Sequence, residues 1–361
     1  MNVKEGFKTT IGTLFRLFPL STEPGLRAFG NPSEDSPVFV TSNFHLTVKR
    51  VSRYLKDLDC YLLVAPANGK NVWCAAVGGM FNARSMVSVI KTSGIGERVN
   101  HRTLILPQLS APGVDTELIE KETGWHSRFG PVYAKEIPEY VRKGFQKSDD
   151  MRRVRFNLMD RLDAGIGVSL PFFLPVAVIL AIFWRAWVLE LVALGGALLL
   201  LMYASFPYIP GRSGWAKVLF YEALVAAGLL IYLFPLGGDS SYIRNLFLAA
   251  MILVPLIGID FGGVSPLYKS DLDPWLHRIG IHRIGSVSFK GRARIKEEKI
   301  TLDQSECTGC KLCYDVCPKG IYDMDESQNI AIMVKPDSEC IACRACVLQC
   351  PTEAISVRAR R

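Results

Sequence analysis

Residues 164–263 carry only eight charged side chains: Arg185, Glu190, Arg212, Lys217, Glu222, Asp239, Arg244 and Asp260. The 361-residue chain has 42 Lys and Arg and 34 Asp and Glu, so charge is concentrated in the two flanks. A block this apolar belongs in lipid, where every backbone N–H and C=O must be satisfied within the segment. That requirement predicts helices of about 20 residues each. Four fit, at 165–184, 186–206, 216–236 and 243–263, giving an all-α transmembrane bundle of four helices. The first pair turns tightly at Trp184-Arg185-Ala186, and Pro171 and Pro175 lie where neighbouring helices can absorb them. Disorder, a disulfide-rich secreted module and a single soluble domain are excluded.

The net charge is +8. Its basic residues gather beside the apolar block: Arg142, Lys143, Lys147, Arg152, Arg153, Arg155 and Arg161 before it, and His277 to Lys296 after it. This pattern fits the positive-inside rule better than a nucleic-acid surface, so no nucleic-acid partner is expected. Both flanks are basic, so both termini are expected in the cytoplasm and the spans should be even in number. The expected location is the cell membrane, multi-pass, with the lipid bilayer as partner. Glu190, Glu222 and Asp260 are membrane acids, read chiefly as interfacial or ion-paired; a transporter built on them ranks low. Residues 1–23 show an apolar stretch interrupted by Lys8 and Arg16, read as an amphipathic segment and not a cleavable signal peptide.

Eight of the ten cysteines fall in two matched runs. The first is Cys307, Cys310, Cys313 and Cys317 followed by Pro318; the second is Cys340, Cys343, Cys346 and Cys350 followed by Pro351. Both read C-x₂-C-x₂-C-x₃-C-P, in which three thiolates hold one [4Fe–4S] cluster and the fourth reaches the other. Cys307, Cys310, Cys313 and Cys350 are therefore expected on one cluster, and Cys340, Cys343, Cys346 and Cys317 on the second. Zinc uses four ligands, usually as two separated pairs, and disulfides do not suit a reducing compartment. Gly309, Ala342 and Ala345 are small enough to let the backbone approach the sulfides. Residues 299–361 resemble bacterial-type ferredoxins, an α+β 2[4Fe–4S] module whose short strands would be Lys299–Leu302 and Ile330–Val334. Its chemistry is one-electron transfer, which implies a low-potential electron donor.

Residues 36–145 alternate between strand-like and helix-like runs. Strands are predicted at Pro37–Thr41, Tyr61–Pro66, Thr103–Pro107 and His126–Phe129. Helices are predicted at Leu46–Leu58, Ala83–Thr92, Val114–Thr123 and Ile137–Phe145. The pattern argues a Rossmann-like, mostly parallel α/β sheet, which binds ligands beyond the carboxyl ends of its strands. No G-x-G-x-x-G opens a helix there, so a nicotinamide or flavin site has little support. After the second strand, Asn71 could cap a short helix carrying Trp73 and Cys74 in its first turn. Helix N-termini favour an anionic thiol. On these grounds Cys74 is open to three roles: nucleophile, metal ligand or small core residue.

The run Asn71-Val72-Trp73-Cys74-Ala75-Ala76 resembles the cap-helix signature of the HgcA family of mercury-methylation corrinoid proteins. The likeness continues through Gly30-Asn31-Pro32, Ser36–Thr41, Leu104–Gly113 and Arg152–Phe156, covering residues 24–163 closely and the membrane block loosely. The tail resembles the family's two-cluster ferredoxin partner, HgcB, so the chain looks like a fusion of the two. The α/β domain is also similar to the large subunit of the corrinoid iron–sulfur protein. The resemblance implies a cobamide held by residues 71–76, with Cys74 as the lower axial ligand of cobalt. A thiolate there is a soft, strongly donating ligand that would labilise a methyl group opposite it. The ferredoxin would return cobalt to Co(I), and fusion keeps the reductant at high effective concentration. Two places depart from the family. Val77 and Gly78 stand where it has Gly-Lys, and the tail has no cysteine beyond the eight cluster ligands, leaving Cys60 as the spare thiol.

The expected organisation is 1–23, an amphipathic segment; 24–150, a cobamide-binding α/β domain; 151–164, a basic linker; 165–263, the membrane domain; 264–298, a second basic linker; and 299–361, the ferredoxin. The expected function is that of a membrane-anchored corrinoid-dependent methyltransferase with its own reductant. A methyl-donor protein is implied, and the acceptor is a Hg(II)-thiol complex or another soft group. The alternative is a non-catalytic electron-transfer or corrinoid carrier serving a separate methyltransferase.

Overall fold

The computed structural model describes residues 19–183, 185–209, 214–237, 240–258, 298–336 and 339–359, together with Gly6 and Thr10. The amphipathic reading of residues 1–18, Arg212, Asp239, Asp260 and the basic linker 264–297 lie outside the described residues. Two compact units are formed, one from Met1–Phe18 and Phe156–His282, the other from Pro19–Arg155 and Arg283–Arg361.

The second unit opens with strands β1 (Gly25–Phe29) and β2 (Val38–Ser42), helix α1 (His45–Leu55), strand β3 (Cys60–Ala65) and the short helix α2 (Val72–Val77). Helix α3 (Ala83–Thr92), strand β4 (Thr103–Leu106), helix α4 (Thr116–Thr123), strand β5 (His126–Phe129) and helices α5 (Ile137–Arg142) and α6 (Asp149–Arg152) follow. The sheet order is β1-β3-β2-β4-β5. All neighbours pair in parallel except β1, which runs antiparallel to β3, Gly25 opposite Val64 and Phe29 opposite Cys60. Strand alternation divides the apolar residues between two cores. Val38, Val40, Leu63, Leu104 and Leu106 meet Met86 and Ile90 of α3 and Ile119 of α4 on one face. Phe39, Leu62, Val64 and Ile105 meet Val48 and Leu55 of α1 and Tyr140 of α5 on the other.

The four predicted parallel strands match β2 to β5 within about a residue or two, and α3 has the bounds expected of it. Strand β1 was not expected. Gly-Leu-Arg-Ala-Phe has no β-branched run; the free edge of β3 recruits it. Residues 19–23 also belong to this domain and not to a separate segment: His45 N–H donates to Leu20 C=O and Thr22 N–H to Asn43 C=O.

The first unit contains helices α7 (Leu158–Phe183), α8 (Val188–Ser205), α9 (Gly214–Leu233) and α10 (Ser241–Gly258). Glycines seat aromatic and branched side chains of neighbouring helices: Gly165 against Tyr203, Gly195 against Phe173, Gly228 against Phe247 and Gly258 against Val218. The Tyr221 hydroxyl lies 2.6 Å from Ser205 Oγ and donates to Met202 C=O at 3.2 Å, tying α9 to α8. Large apolar side chains such as Leu189, Leu201, Leu224 and Leu256 are exposed on the outside of these helices. Among the described residues, three helical stretches are long and apolar enough to cross a membrane: Arg185–Tyr208, Ala216–Leu233 and Ser241–Gly258. Three candidate spans are thus found among the described residues where four were expected; the fourth expected segment, in α7, includes residues outside the described ones. Glu190, in the first turn of α8, and Glu222, in α9, are both half-buried.

The remaining elements return to the second unit: strand β6 (Glu298–Leu302), helix α11 (Leu312–Val316), strands β7 (Tyr322–Asp325) and β8 (Ile330–Met333), helix α12 (Ala345–Leu348) and strand β9 (Ile355–Ala359). The two strands expected here, β6 and β8, do not pair with each other. β6 pairs with β9 and β7 with β8, each antiparallel. Gly309 adopts φ +72°, and a Cβ there would lie 2.1 Å from Asn329 C=O, so the first cysteine run requires glycine at that turn.

The candidate corrinoid and iron–sulfur sites

Strand order reverses between β3-β2 and β4-β5, and ligands bind such sheets at the carboxyl ends beside the reversal. Asn43, at the end of β2, is buried. Its Oδ1 accepts from Ala67 N–H at 2.9 Å and Gly69 N–H at 3.0 Å, holding the loop that leaves β3. Gly69 has φ +63°, and a Cβ there would lie 2.9 Å from Ser21 N, so a side chain would break the loop. This loop delivers the cap helix α2.

Asn71 is the N-cap. Its Oδ1 accepts from Cys74 N–H at 2.9 Å, and its Nδ2 donates to Cys74 Sγ at 3.3 Å. One side chain thus fixes the helix start and orients the sulfur. Cys74 is exposed and Trp73 half-exposed. Of the six residues expected to hold the cofactor, Val72, Ala75 and Ala76 are buried, turn into the domain core and carry the helix. Beneath α2 lies the Gln108–Val114 loop. A Cβ on Gly113 would sit 2.3 Å from Ala76 C=O, so the loop supports the helix only because residue 113 is glycine. Gly78 is the C-cap, and Gly79 follows in the left-handed region. An exposed thiol with an amide donor on its sulfur suits a soft metal such as cobalt.

The ferredoxin cysteines gather as two quartets. Cys307, Cys310, Cys313 and Cys350 line one hollow. Cys317, Cys340, Cys343 and Cys346 line a second. Each quartet takes three thiols from one run and one from the other. Neither lining contains a carboxylate; Lys311 lines the first, Lys319 and Arg344 the second. Among the described residues no three His, Cys, Asp or Glu close to single-ion spacing, so the thiols surround a volume and not a point. Burial pushes the Cys313 and Cys343 thiols up to about 12. They remain neutral unless a cationic centre offsets their charge, as iron does. The donor set fits [4Fe–4S] clusters.

The ferredoxin module rests on the α/β domain within this unit. Gln349, buried beside Cys350, donates to Ala111 C=O at 3.0 Å and Val114 C=O at 2.7 Å and accepts from the Thr116 hydroxyl at 2.9 Å. Lys147 pairs with Asp315 at 2.8 Å and also donates to Gln108 Oε1 at 3.3 Å. Arg152 stacks 3.2 Å from the centre of the Tyr314 ring, donates to Tyr314 C=O at 2.7 Å and pairs with Asp149. Sequence reading took Lys147 and Arg152 as part of a basic flank facing the membrane. Both are buried, at 5% and 2% side-chain exposure, and both are used inside the unit. Nothing in the sequence marks these contacts of Gln349, Lys147 and Arg152, because their partners across the unit are distant in sequence.

Residues 8–141 match the family described as CO dehydrogenase/acetyl-CoA synthase delta subunit, and residues 306–355 match the 4Fe-4S dicluster domain. The chain is 39% identical over 127 residues to the acetyl-CoA decarbonylase/synthase complex subunit gamma of Methanothermobacter thermautotrophicus, covering 35% of this chain and 27% of that protein. It is 37% identical over 131 residues to the same subunit of Methanocaldococcus jannaschii, covering 36% and 26%. It is 32% identical over 126 residues to the corrinoid/iron-sulfur protein large subunit of Moorella thermoacetica, covering 34% and 28%. The chain spans about a quarter of the length of these relatives. It therefore joins a domain similar to corrinoid/iron–sulfur proteins to a 4Fe–4S dicluster domain, with three apolar helices long enough to cross a membrane.

Proposed function

We propose that this chain is a membrane-anchored corrinoid methyl-transfer protein that carries its own electron-delivery module. The carrying observation is the Cys74 thiol. It is presented at the carboxyl end of the sheet by a six-residue helix, with Asn71 bonded to both its N–H and its sulfur. A bound cobamide would supply cobalt as the methyl-carrying centre, and two [4Fe–4S] clusters would supply single low-potential electrons. Cys74 would hold the cobalt, with Asn71 keeping the sulfur oriented. Trp73 would contact the corrin face beside it. Gly113 and the buried Val72, Ala75 and Ala76 keep the helix in place. Cys307, Cys310, Cys313 and Cys350 would ligate one cluster, and Cys317, Cys340, Cys343 and Cys346 the other.

Four spans with both termini in the cytoplasm complete this reading. Residues 19–155 and 298–359 share one compact unit although the apolar block separates them in sequence. A chain that leaves such a unit and returns to it crosses a bilayer an even number of times. For the acceptor, a thiol-bound Hg(II) is one candidate among soft electrophiles. Without the lysine of the related signature, Val77 and Gly78 leave the cap without a cation, which argues for a different acceptor.

The test is Cys74→Ala in the anaerobically purified full chain. The variant is expected to keep bound cobamide, to shift its cobalt absorption to a water-bound or five-coordinate form, and to lose methyl transfer. An unaltered cobalt spectrum with cobamide still bound would refute ligation by Cys74 and favour the carrier reading.

A further inference from the structure

The two halves of the ferredoxin module repeat with a spacing of 33 residues, Cys307 onto Cys340 and Cys317 onto Cys350. Under that repeat Tyr322 falls on Ile355, each the fifth residue after the last cysteine of its run. The hollows preserve the correspondence. Tyr322 lines the Cys317/Cys340/Cys343/Cys346 hollow, and Ile355 lines the Cys307/Cys310/Cys313/Cys350 hollow.

The two positions differ in one chemical respect. Tyr322 is 4% exposed and its hydroxyl donates to Cys346 Sγ at 3.4 Å. Ile355 has no side-chain donor, and the hydroxyl contact at that quartet, Thr352 with Cys350 Sγ, is the longer one at 3.8 Å. Backbone donors are present at both quartets: Ala331 N–H to Cys307 at 3.3 Å in one, and Ile321 N–H to Cys317 and Ala342 N–H to Cys340, both at 3.4 Å, in the other. The buried side-chain hydroxyl therefore breaks the symmetry. Charge acts in the same direction, with Lys319 and Arg344 beside the Tyr322 hollow and Lys311 beside the other.

A hydrogen bond to a ligating sulfur draws off negative charge and favours the reduced state of the cluster it serves. We infer that Tyr322 makes the Cys317/Cys340/Cys343/Cys346 site the higher-potential of the two and so sets the direction of electron flow through the module. This rests on the reading that both quartets hold clusters. An electron from an external low-potential one-electron donor enters at the Cys307/Cys310/Cys313/Cys350 site, where Cys310 is exposed. It passes to the Tyr322 site; the first site is oxidised by one electron, the second reduced by one, and no bond is made or broken. Cys343 and Ala345, which line the Tyr322 hollow, pack against the core of the α/β domain.

The experiment is a redox titration, followed by electron paramagnetic resonance, of the full chain in detergent with its iron–sulfur content reconstituted. Wild type is compared with Tyr322→Phe, which removes the hydroxyl and keeps the ring. Iron content should be unchanged. The higher of the two one-electron steps should fall by about a tenfold change in its equilibrium constant, or ~59 mV, while the lower step stays in place. Neither step moving, the lower step moving, or both moving together would overturn the inference. A wild-type protein that binds fewer than two clusters would overturn the functional reading first, and this inference with it.

Discussion

Cys60 and Cys74 are the two cysteines outside the ferredoxin module, and their surroundings differ in every respect that governs thiol chemistry. Cys60 is fully buried at the start of β3, and burial, with Asp59 adding to it, pushes its thiol up to about 12. Cys74 is exposed and receives the Asn71 amide on its sulfur. With the clusters loaded and cobamide absent, iodoacetamide at pH 8 is expected to leave a single adduct, at Cys74. Peptide mass spectrometry reads this directly, and an adduct at Cys60 at comparable yield would contradict it. Sequence alone left Cys74 open between a reactive and a packed residue, because exposure is set by which face of a six-residue helix the core takes.

At the scale of elements, the cap helix is too short to be stable by itself. It depends on the contact between Ala76 and the Gly113 turn, where a Cβ would meet the Ala76 carbonyl oxygen at 2.3 Å. Gly113→Ala is expected to cost about 1–3 kcal/mol through overpacking and to displace α2. Hydrogen exchange should quicken at the amides of residues 72–77 and leave β3 and β4 protected. Equal loosening of helix and strands would mean that the loop does not support the helix specifically.

The pairing of Lys147 with Asp315 is a second element-scale feature, joining the segment before α6 to α11. Burial pulls the Lys147 ammonium down from 10.5 to about 8 despite its partner. The unfolded chain therefore binds more protons between pH 8 and 10.5, so stability rises with pH across that window and is lost as pH falls through 8. The shift corresponds to a contribution on the order of 3 kcal/mol. Lys147→Met removes this titration. The wild-type melting midpoint, measured relative to that of the variant in detergent, should climb between pH 8 and 10.5. A difference that stays constant with pH would show that Lys147 is not buried as a charge.

For the whole molecule, the decisive relation is between the apolar block and the unit it interrupts. Sequence reading placed both ends in the cytoplasm on the strength of basic flanks. Two of those basic residues, Lys147 and Arg152, are internal to the second unit, which weakens the charge argument. The shared unit supplies another: segments on both sides of the block pack together, and the proposed topology puts both on one side of the bilayer. A reporter fused after Arg361 and one inserted in the exposed turn at Asp325–Gln328 should both be active only in the cytoplasm. Activity of either reporter outside would overturn the four-span topology.

The parallel strands β2 to β5, the helix α3 and the ferredoxin module were legible in the residues themselves. Their signals are local: alternation within a strand, a helical period, and cysteine spacings that only a two-cluster module uses. The edge strand β1 was not legible, because its residues have no strand preference and the edge of β3 pairs with it only once the sheet exists. Nor was the use of Lys147, Arg152 and Gln349, whose partners lie up to 238 residues away in sequence. The sequence by itself determined the two matched cysteine runs and that the middle of the chain forms apolar helices long enough to cross a membrane. Tertiary structure alone decided that Cys74 faces outward while its neighbours Ala75 and Ala76 face in, and that the ferredoxin rests on the loop beneath the cap. Local residue patterns specify elements, but exposure and docking depend on which distant surfaces become neighbours when the cores close.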